Sequence, residues 1–254
     1  MSPKDTRFAG RRALVTGSTG GLGVAIATAL AAQGAFVVVS GRDTTRGDAV
    51  VADIRAAGGR AAFVAADLGA GADAARQVAD AAAAAADGSI DILVNNAATL
   101  LFPTPTADIT DQTLRDAFTV NVFAPFLLTG VLGSRMADLG HGAIVNIGSI
   151  AGLRGSSGSA LYSATKATVH SLTKSWADEY GPCGVRVNAV APGPIGTERQ
   201  AEFADHIAPV LNRLPSRRMS TPDEVAAAVT FLASDDAANI HGAVLSVDGG
   251  WAAT

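Results

Sequence analysis

Tyr162 and Lys166 stand four residues apart in the stretch 144–174, IVNIGSIAGLRGSSGSALYSATKATVHSLTK. On a helix that spacing puts both on one face, one turn apart. Ser149 follows the apolar run at the start of the stretch, and the Gly/Ser-rich loop after it can fold the serine back toward that face. A tyrosine ordinarily ionises near pH ~10, so a usable base near pH 7 requires roughly 3 units, or ~4 kcal/mol. A lysine ammonium ~4 Å away contributes about 4 kcal/mol at an effective dielectric of ~20, less what desolvation takes back. With a serine hydroxyl to hold a substrate oxygen, the set suits proton transfer at an alcohol or a carbonyl. Tyr-x-x-x-Lys alone also fits an ordinary helix with an exposed tyrosine and lysine, so the surrounding elements have to decide.

Those elements alternate. Residues 11–16 (RRALVT) predict a strand, 17–23 (GSTGGLG) a glycine-rich turn, and 22–33 a helix. A second strand over 35–40, a helix over 44–57 and a third strand over 61–66 follow. The alanine-rich stretch 72–86 predicts a helix on propensity, and 90–94 a fourth strand. A long helical pattern covers 111–139, with Pro125 inside it as a kink. The fifth strand (144–147) leads to Ser149, and the Tyr162 helix runs over 159–180. A sixth strand (185–190), an excursion from 192 to 219, a helix at 221–233 and a seventh strand at 244–247 complete the series. Thr221 caps that last helix and Pro222 takes its first turn. Continuous apolar strands alternating with helices specify a parallel sheet covered on both faces. With no linker and no repeat, the expectation is one α/β domain over 1–254: a doubly wound, seven-stranded parallel sheet.

Ligands of such sheets bind outside the carboxyl ends of the strands. After the first strand comes the glycine turn, after the second Gly41-Arg42, after the third Asp67-Leu68. Asn95-Asn96-Ala97-Ala98 follows the fourth, Ser149 the fifth and Pro192-Gly193-Pro194 the sixth. The glycine turn lets backbone N–H groups approach a pyrophosphate at a helix N-terminus, although the spacing Gly17, Gly21, Gly23 departs from G-x-G-x-x-G. Asp67 has the chemistry to bond an adenine amino group, and Asn95 to hold a cofactor ribose. Asn121 stands between Val120 and Val122 in a helical pattern, where asparagine is unfavourable and would be buried. A buried amide needs partners; a water leading to Lys166 would be one, and repair of the Pro125 kink is the competing account.

The chain has 254 residues, 48% hydrophobic and 17% charged, with a net charge of -4. This is ample for one core, and it argues against nucleic acid or an anionic membrane as the partner. Cys183 is the single cysteine, so no internal disulfide forms and a reducing compartment fits. No apolar run approaches the ~18 residues of a bilayer span, and MSPKDTRFAG lacks the apolar core of a signal peptide. The expectation is a cytoplasmic, soluble protein. The four histidines have no ligand-like spacing, and no metal site is expected.

Thr16-Gly17-x-x-x-Gly21-x-Gly23, Asp67, Asn95-Asn96-Ala97, Asn121, Ser149, Tyr162-x-x-x-Lys166, Pro192-Gly193 and Asp248-Gly249-Gly250 together resemble the short-chain dehydrogenases/reductases, in that family's order and over nearly the whole chain. The resemblance implies a Rossmann-type fold and NAD(P)-dependent carbonyl reduction or alcohol oxidation. It makes Tyr162 the general acid/base, with Lys166 lowering its pKa and binding the nicotinamide ribose. Ser149 then orients the substrate oxygen and Asn121 holds a proton-relay water. It implies cofactor contacts from Gly17, Ser18, Thr19, Gly21, Leu22, Gly23, Arg42, Asp67, Leu68, Asn95, Ala97, Tyr162, Lys166, Pro192, Gly193, Ile195 and Thr197. Ala98 departs from the glycine usual there, which narrows the channel without removing a catalytic group.

Gly41 occupies the position where NAD-preferring relatives place an acid. Glycine leaves room for a 2′-phosphate and Arg42 can pair with it, so NADP(H) is the expected cofactor and NAD(H) the alternative, with Asp43 one residue away from reading a free ribose. Residues 194–219 are the expected lid, its apolar members Ile195, Phe203, Ile207, Val210, Leu211 and Leu214 joining Leu101 and Phe102 in a partly apolar pocket. The substrate is a small molecule. The nearest resemblance is to 3-oxoacyl thioester reductases, while a sugar acid, polyol, steroid or other small ketone stays open. The competing class, a dinucleotide-binding regulator without catalysis, has no need of Asn121, Ser149, Tyr162 and Lys166 together. Phe118, Phe126 and Trp176 on the two long helices add a pairing face, and the resemblance implies a homotetramer.

Overall fold

The apolar runs become the strands of one sheet in the computed structural model, which describes residues 6–198 and 210–253. The strands are β1 (Arg12–Thr16), β2 (Phe36–Gly41), β3 (Arg60–Ala65), β4 (Ile92–Asn95), β5 (Gly142–Ile147), β6 (Val185–Pro192) and β7 (Val244–Val247). All pairings are parallel, in the order β3-β2-β1-β4-β5-β6-β7. The order reverses between β1 and β4, so the crevice beyond their carboxyl ends is the topological switch point.

Successive strand residues point to opposite faces, and the core divides accordingly. Val15, Val37, Val39, Val94 and Val145 pack under α1 (Gly21–Ala32), α2 (Thr44–Ala56) and the C-terminal helix Pro222–Ala233. Leu14, Val38, Leu93, Ile144 and Val187 pack under α3 (Ala72–Ala85) and the long helices after β4 and β5. Each fully buried Leu, Ile or Val contributes about 1.5–3 kcal/mol, so both helical layers are held by strands that read as unbroken apolar runs.

The long helix after β4 is three pieces: α4 (Asp111–Phe118), one π-turn (Thr119–Phe123) and α5 (Ala124–Leu139). Pro125 sits in the first turn of α5, so the kink expected at the proline is taken up by the wider turn before it. Pro125 has no N–H to give the Asn121 carbonyl four residues earlier. The stretch Asp111–Leu139 is long and apolar enough to cross a membrane by length and composition, a feature the run-length reading of the sequence did not register. Half of its apolar window is buried inside the protein, as in a core helix.

The Tyr162 helix is α6 (Ala160–Tyr180), and α7 is Pro222–Ala233. Thr221 and Glu224 form a reciprocal capping box at the start of α7, with Pro222 in its first turn as the sequence predicts. Arg218 forks onto the same Glu224 carboxylate at 2.6 and 2.8 Å, and this pairing holds the carboxyl well below the usual glutamate range. Trp176 is buried on α6 in the second core cluster, with its ring centroid 5.9 Å from that of Phe126. It is therefore core, not the pairing face expected of it; on the outer side Phe126 is half exposed and Phe123 and Leu114 are exposed.

Candidate active site

The turn after β1 fits a dinucleotide phosphate. Gly17 has φ +62, and an added Cβ would stand 2.7 Å from the Ala97 Cα. Gly21 has φ +52, and a Cβ on Gly23 would run into the Gly17 carbonyl. Gly20 caps α1 with no side-chain hydrogen bond, so the first N–H groups of the helix face an outside acceptor. Thr16 and Asn96 hold this turn in place. Thr16 Oγ1 accepts from the Asn96 and Ala97 N–H groups at 3.0 Å each. Asn96 Nδ2 donates to the Thr16 and Gly17 carbonyls at 2.8 and 3.0 Å.

Three residues expected at the cofactor serve the scaffold with their side chains. Asn95 ends β4, and the pleat aims it at the α5 face with Leu93, not at the sheet edge. It is 4% exposed and its Nδ2 donates to Asn146 Oδ1 at 2.8 Å and Thr129 Oγ1 at 3.2 Å, so it does not reach a ribose. Ser18 is fully buried; its Oγ donates to the Val15 carbonyl at 2.7 Å and accepts from the Ser40 N–H at 3.0 Å, locking the turn to β2. Leu68 packs its side chain into the second core cluster. Asp43, the other reader weighed for the ribose, is the N-cap of α2 and accepts from the Arg46 N–H at 3.0 Å.

The remaining positions follow the carboxyl ends of the strands. Asp67 is exposed after β3 and accepts the Gly69 N–H at 2.9 Å. Arg42 is exposed after β2. Leu22 and Thr19 are half-buried around the turn. Arg46, which the sequence did not single out, reaches back over the same turn: a Cβ on Gly20 would be 3.8 Å from its Nη2, and its guanidinium lies 3.8 Å from Glu198. Beyond β6, Gly193 packs against Asp248, and Ile195 pairs with Ser220 in an isolated parallel bridge. The Gly196 N–H bonds the Ser220 carbonyl at 2.9 Å and the Ser220 N–H the Pro194 carbonyl at 3.0 Å. A Cβ on Gly21 would lie 3.7 Å from Thr197 Cγ2. Of the expected pocket residues, Phe203 and Ile207 lie outside the described residues, and Leu214 is fully buried in packing. Phe102 and Leu100 after β4 and Leu153 after β5 are exposed.

Ser149, Tyr162 and Lys166 meet where β5 ends. Ser149 Oγ accepts from the Ala151 N–H at 3.1 Å and bonds the Tyr162 side chain. Lys166 is 3% exposed; its Nζ donates to the Ile147 carbonyl at 2.8 Å and lies 5.8 Å from the Tyr162 ring centroid. Burial pushes the Tyr162 hydroxyl up to about 12, with the Ser149 bond pulling the other way. Burial lowers the Lys166 ammonium to about 8. Both shifts have the same cause: burial disfavours the charged form of each group. Desolvation therefore opposes the activation expected from spacing.

Asn121 is buried in the π-turn, and its amide is fully used. Oδ1 accepts from the Thr99 N–H at 2.7 Å; Nδ2 donates to the Thr99 carbonyl at 3.1 Å and to Thr165 Oγ1 at 3.2 Å. The side chain ties the segment after β4 to α6, and Thr165 in turn donates to the Tyr162 carbonyl at 2.8 Å. These partners, not a water, satisfy the amide. Among the described residues, no group of three or more His, Cys, Asp or Glu could hold a metal ion.

A doubly wound sheet with a phosphate-type turn after β1 and a Ser–Tyr–Lys set after β5 defines a Rossmann-type oxidoreductase. The family model described as enoyl-(acyl carrier protein) reductase matches residues 17–252. The cis-4-hydroxycyclohexanecarboxylate dehydrogenase of Sinomonas cyclohexanicum is 41% identical over 97% of this chain and 98% of its own length. The 3-oxoacyl-[acyl-carrier-protein] reductase of Synechocystis sp. is 41% identical over 96% and 98%. A solved structure from Beutenbergia cavernae, provisionally named an NAD(P)-dependent gluconate 5-dehydrogenase and holding NADP at low occupancy, superposes with a TM-score of 0.92 at 38% identity, covering 98% of this chain and all of that one. The chain belongs to the short-chain dehydrogenase/reductase family and is an oxidoreductase of alcohols and ketones.

Proposed function

We propose that this chain is an NADP(H)-dependent enzyme that interconverts a small ketone and its secondary alcohol, with Tyr162 as the general acid/base. The observation that carries the reading is the convergence of Tyr162, Ser149 and Lys166 at the end of β5, beside the switch point. Burial keeps the tyrosine protonated at neutral pH, so the site as built donates a proton to a carbonyl oxygen. Ser149 holds that oxygen, and the Lys166 ammonium, charged below about pH 8, stabilises the tyrosinate left behind. When bound, the dinucleotide supplies the hydride in reduction and accepts it in oxidation. Gly17, Thr19, Gly21, Gly23, Ala97, Pro192, Gly193 and Thr197 frame its groove, with Asp67 at the adenine end.

Arg42, exposed beside Gly41, supports NADP(H), as does the NADP in the Beutenbergia structure. Exposed Leu100, Phe102 and Leu153 support a compact, partly apolar substrate, a description that a cyclohexane ring bearing one hydroxyl fits. The enzyme works in the cytoplasm as a homotetramer, with residues 194–219 as the lid. Tyr162→Phe tests the reading: it should abolish NADPH-dependent reduction of a panel of cyclic and acyclic ketones while the dinucleotide dissociation constant, followed by fluorescence, stays within twofold. Turnover near the unmodified rate would refute the assignment.

A further inference from the structure

His170 is buried on α6 one turn beyond Lys166 and two beyond Tyr162, so the three share one face of the helix. Its ring is 5% exposed and lies in a slot made by two glycines. A Cβ on Gly148 would collide with Nε2, and one on Gly152 would come within 2.8 Å of Cε1. Nε2 accepts the Ser149 N–H at 3.4 Å. Nδ1 is buried with no partner in hydrogen-bond geometry, although the Gly152 backbone is near enough to raise its affinity for a proton. Burial and the Lys166 and Lys174 charges lower the ring to about 4, so it is neutral in use, with the Nε2 lone pair free to accept and the proton on Nδ1.

We infer that His170 is a positioning residue for the reaction: seated between Gly148 and Gly152, it fixes the peptide that presents Ser149 to the Tyr162 hydroxyl. Ser149 is then held from two sides, its N–H by His170 and its Oγ by the Ala151 N–H. The serine lies on a loop, while His170 lies on the same rigid helix as Tyr162 and Lys166, so one element sets the spacing of all three groups. A misplacement of ~1 Å can cost about a hundredfold in rate. This inference rests on the assignment of Ser149 and Tyr162 proposed above.

The test is a cycle of His170→Leu, His170→Gln and Ser149→Ala, with kcat, KM, dinucleotide Kd and Tm measured for each. Leucine fills the slot without an acceptor; glutamine restores an acceptor oxygen. His170→Leu should lower kcat ten- to a hundredfold with the dinucleotide Kd within twofold, and His170→Gln should recover most of the loss. In the Ser149→Ala background His170→Leu should cost less than threefold, since the group it positions is already absent. Equal losses in the two His170 variants, or a full multiplicative loss in the Ser149→Ala background, would overturn the inference while leaving Ser149 and Tyr162 in place. An unchanged kcat in Ser149→Ala alone would instead remove the functional assignment, and this inference with it. Should the leucine variant not fold, imidazole nitrogen NMR shifts of the unmodified protein decide: a protonated Nε2 at pH 7 overturns the inference, and an unprotonated Nε2 with the proton on Nδ1 supports it.

Discussion

Thr19 fills the space in which a side chain on Gly41 would have to stand: a Cβ added to Gly41 would lie 2.7 Å from Thr19 Cγ2 and 2.8 Å from its Oγ1. The contact joins the glycine turn to the end of β2. It changes what a cofactor-switching substitution can do there, because a carboxylate placed at Gly41 alone would displace the turn. Overpacking of this kind costs about 1–3 kcal/mol.

Gly41→Asp by itself is therefore expected to weaken both NADPH and NADH and to lower Tm. Thr19→Ala/Gly41→Asp, with the threonine Cγ2 and Oγ1 removed, should recover NADH binding and reverse the preference. Arg42→Ala should weaken NADPH by about tenfold or more, as expected for loss of a charge-assisted bond of ~1.5–3 kcal/mol, and leave NADH nearly unchanged. Dissociation constants for both dinucleotides decide, and equal losses on Arg42→Ala would mean the arginine reads no phosphate.

Lys166 gives a pH signature in the free protein. Below pH 8 its proton is held in both folded and unfolded states, and the full cost of burying the charge is present. Between about pH 8 and the ordinary value of 10.5 the unfolded chain keeps a proton that the folded chain has released, so raising the pH stabilises the fold. The gain approaches about 3 kcal/mol at ~1.4 kcal/mol per unit. Urea unfolding of the unmodified protein and Lys166→Met from pH 7 to 10 should show the difference between them moving in favour of the unmodified protein. A flat difference would place the lysine near its ordinary pKa.

Asn121→Ala removes the partners that the π-turn gives the Thr99 main chain, and the N–H that Thr165 Oγ1 accepts. Leaving buried polar groups unpaired costs ~1–3 kcal/mol, so the midpoint of urea unfolding should fall. Hydrogen exchange at the Thr99 amide should rise with it. Unchanged exchange there would show that the clamp is dispensable.

Phe123 and Phe126 present exposed rings on the outer side of the π-turn and α5. If this face pairs two copies, Phe126→Asp combined with Phe123→Asp should halve the mass read by light scattering at micromolar concentration. A monomeric unmodified protein would refute the pairing.

The sheet and the Ser149–Tyr162–Lys166 set were legible because strand alternation, glycine turns and helical spacing are local patterns. Asn95 was misread because one residue of strand length decides whether a side chain leaves the sheet edge or turns under it; Asn96, next to it, is the residue that braces the turn. Trp176 was misread because an α6 position facing α5 carries no sequence mark distinguishing it from an outward one. Arg46 and His170 were missed for a similar reason: each lies against a residue distant in sequence, Gly20 and Ser149. The opposite shifts of Tyr162 and Lys166 follow from burial, which spacing does not report.

The Ile195–Ser220 bridge brings together the two ends of the segment proposed to cover the substrate, and the Arg218–Glu224 fork ties its far end to α7. A loop whose ends are already paired adds only about 0.6 kcal/mol of closure cost per doubling of its length. Within that segment Leu214 is fully buried and the Ser216 N–H bonds the Gly249 carbonyl at 3.0 Å, so its C-terminal part is anchored to the end of β7 as well.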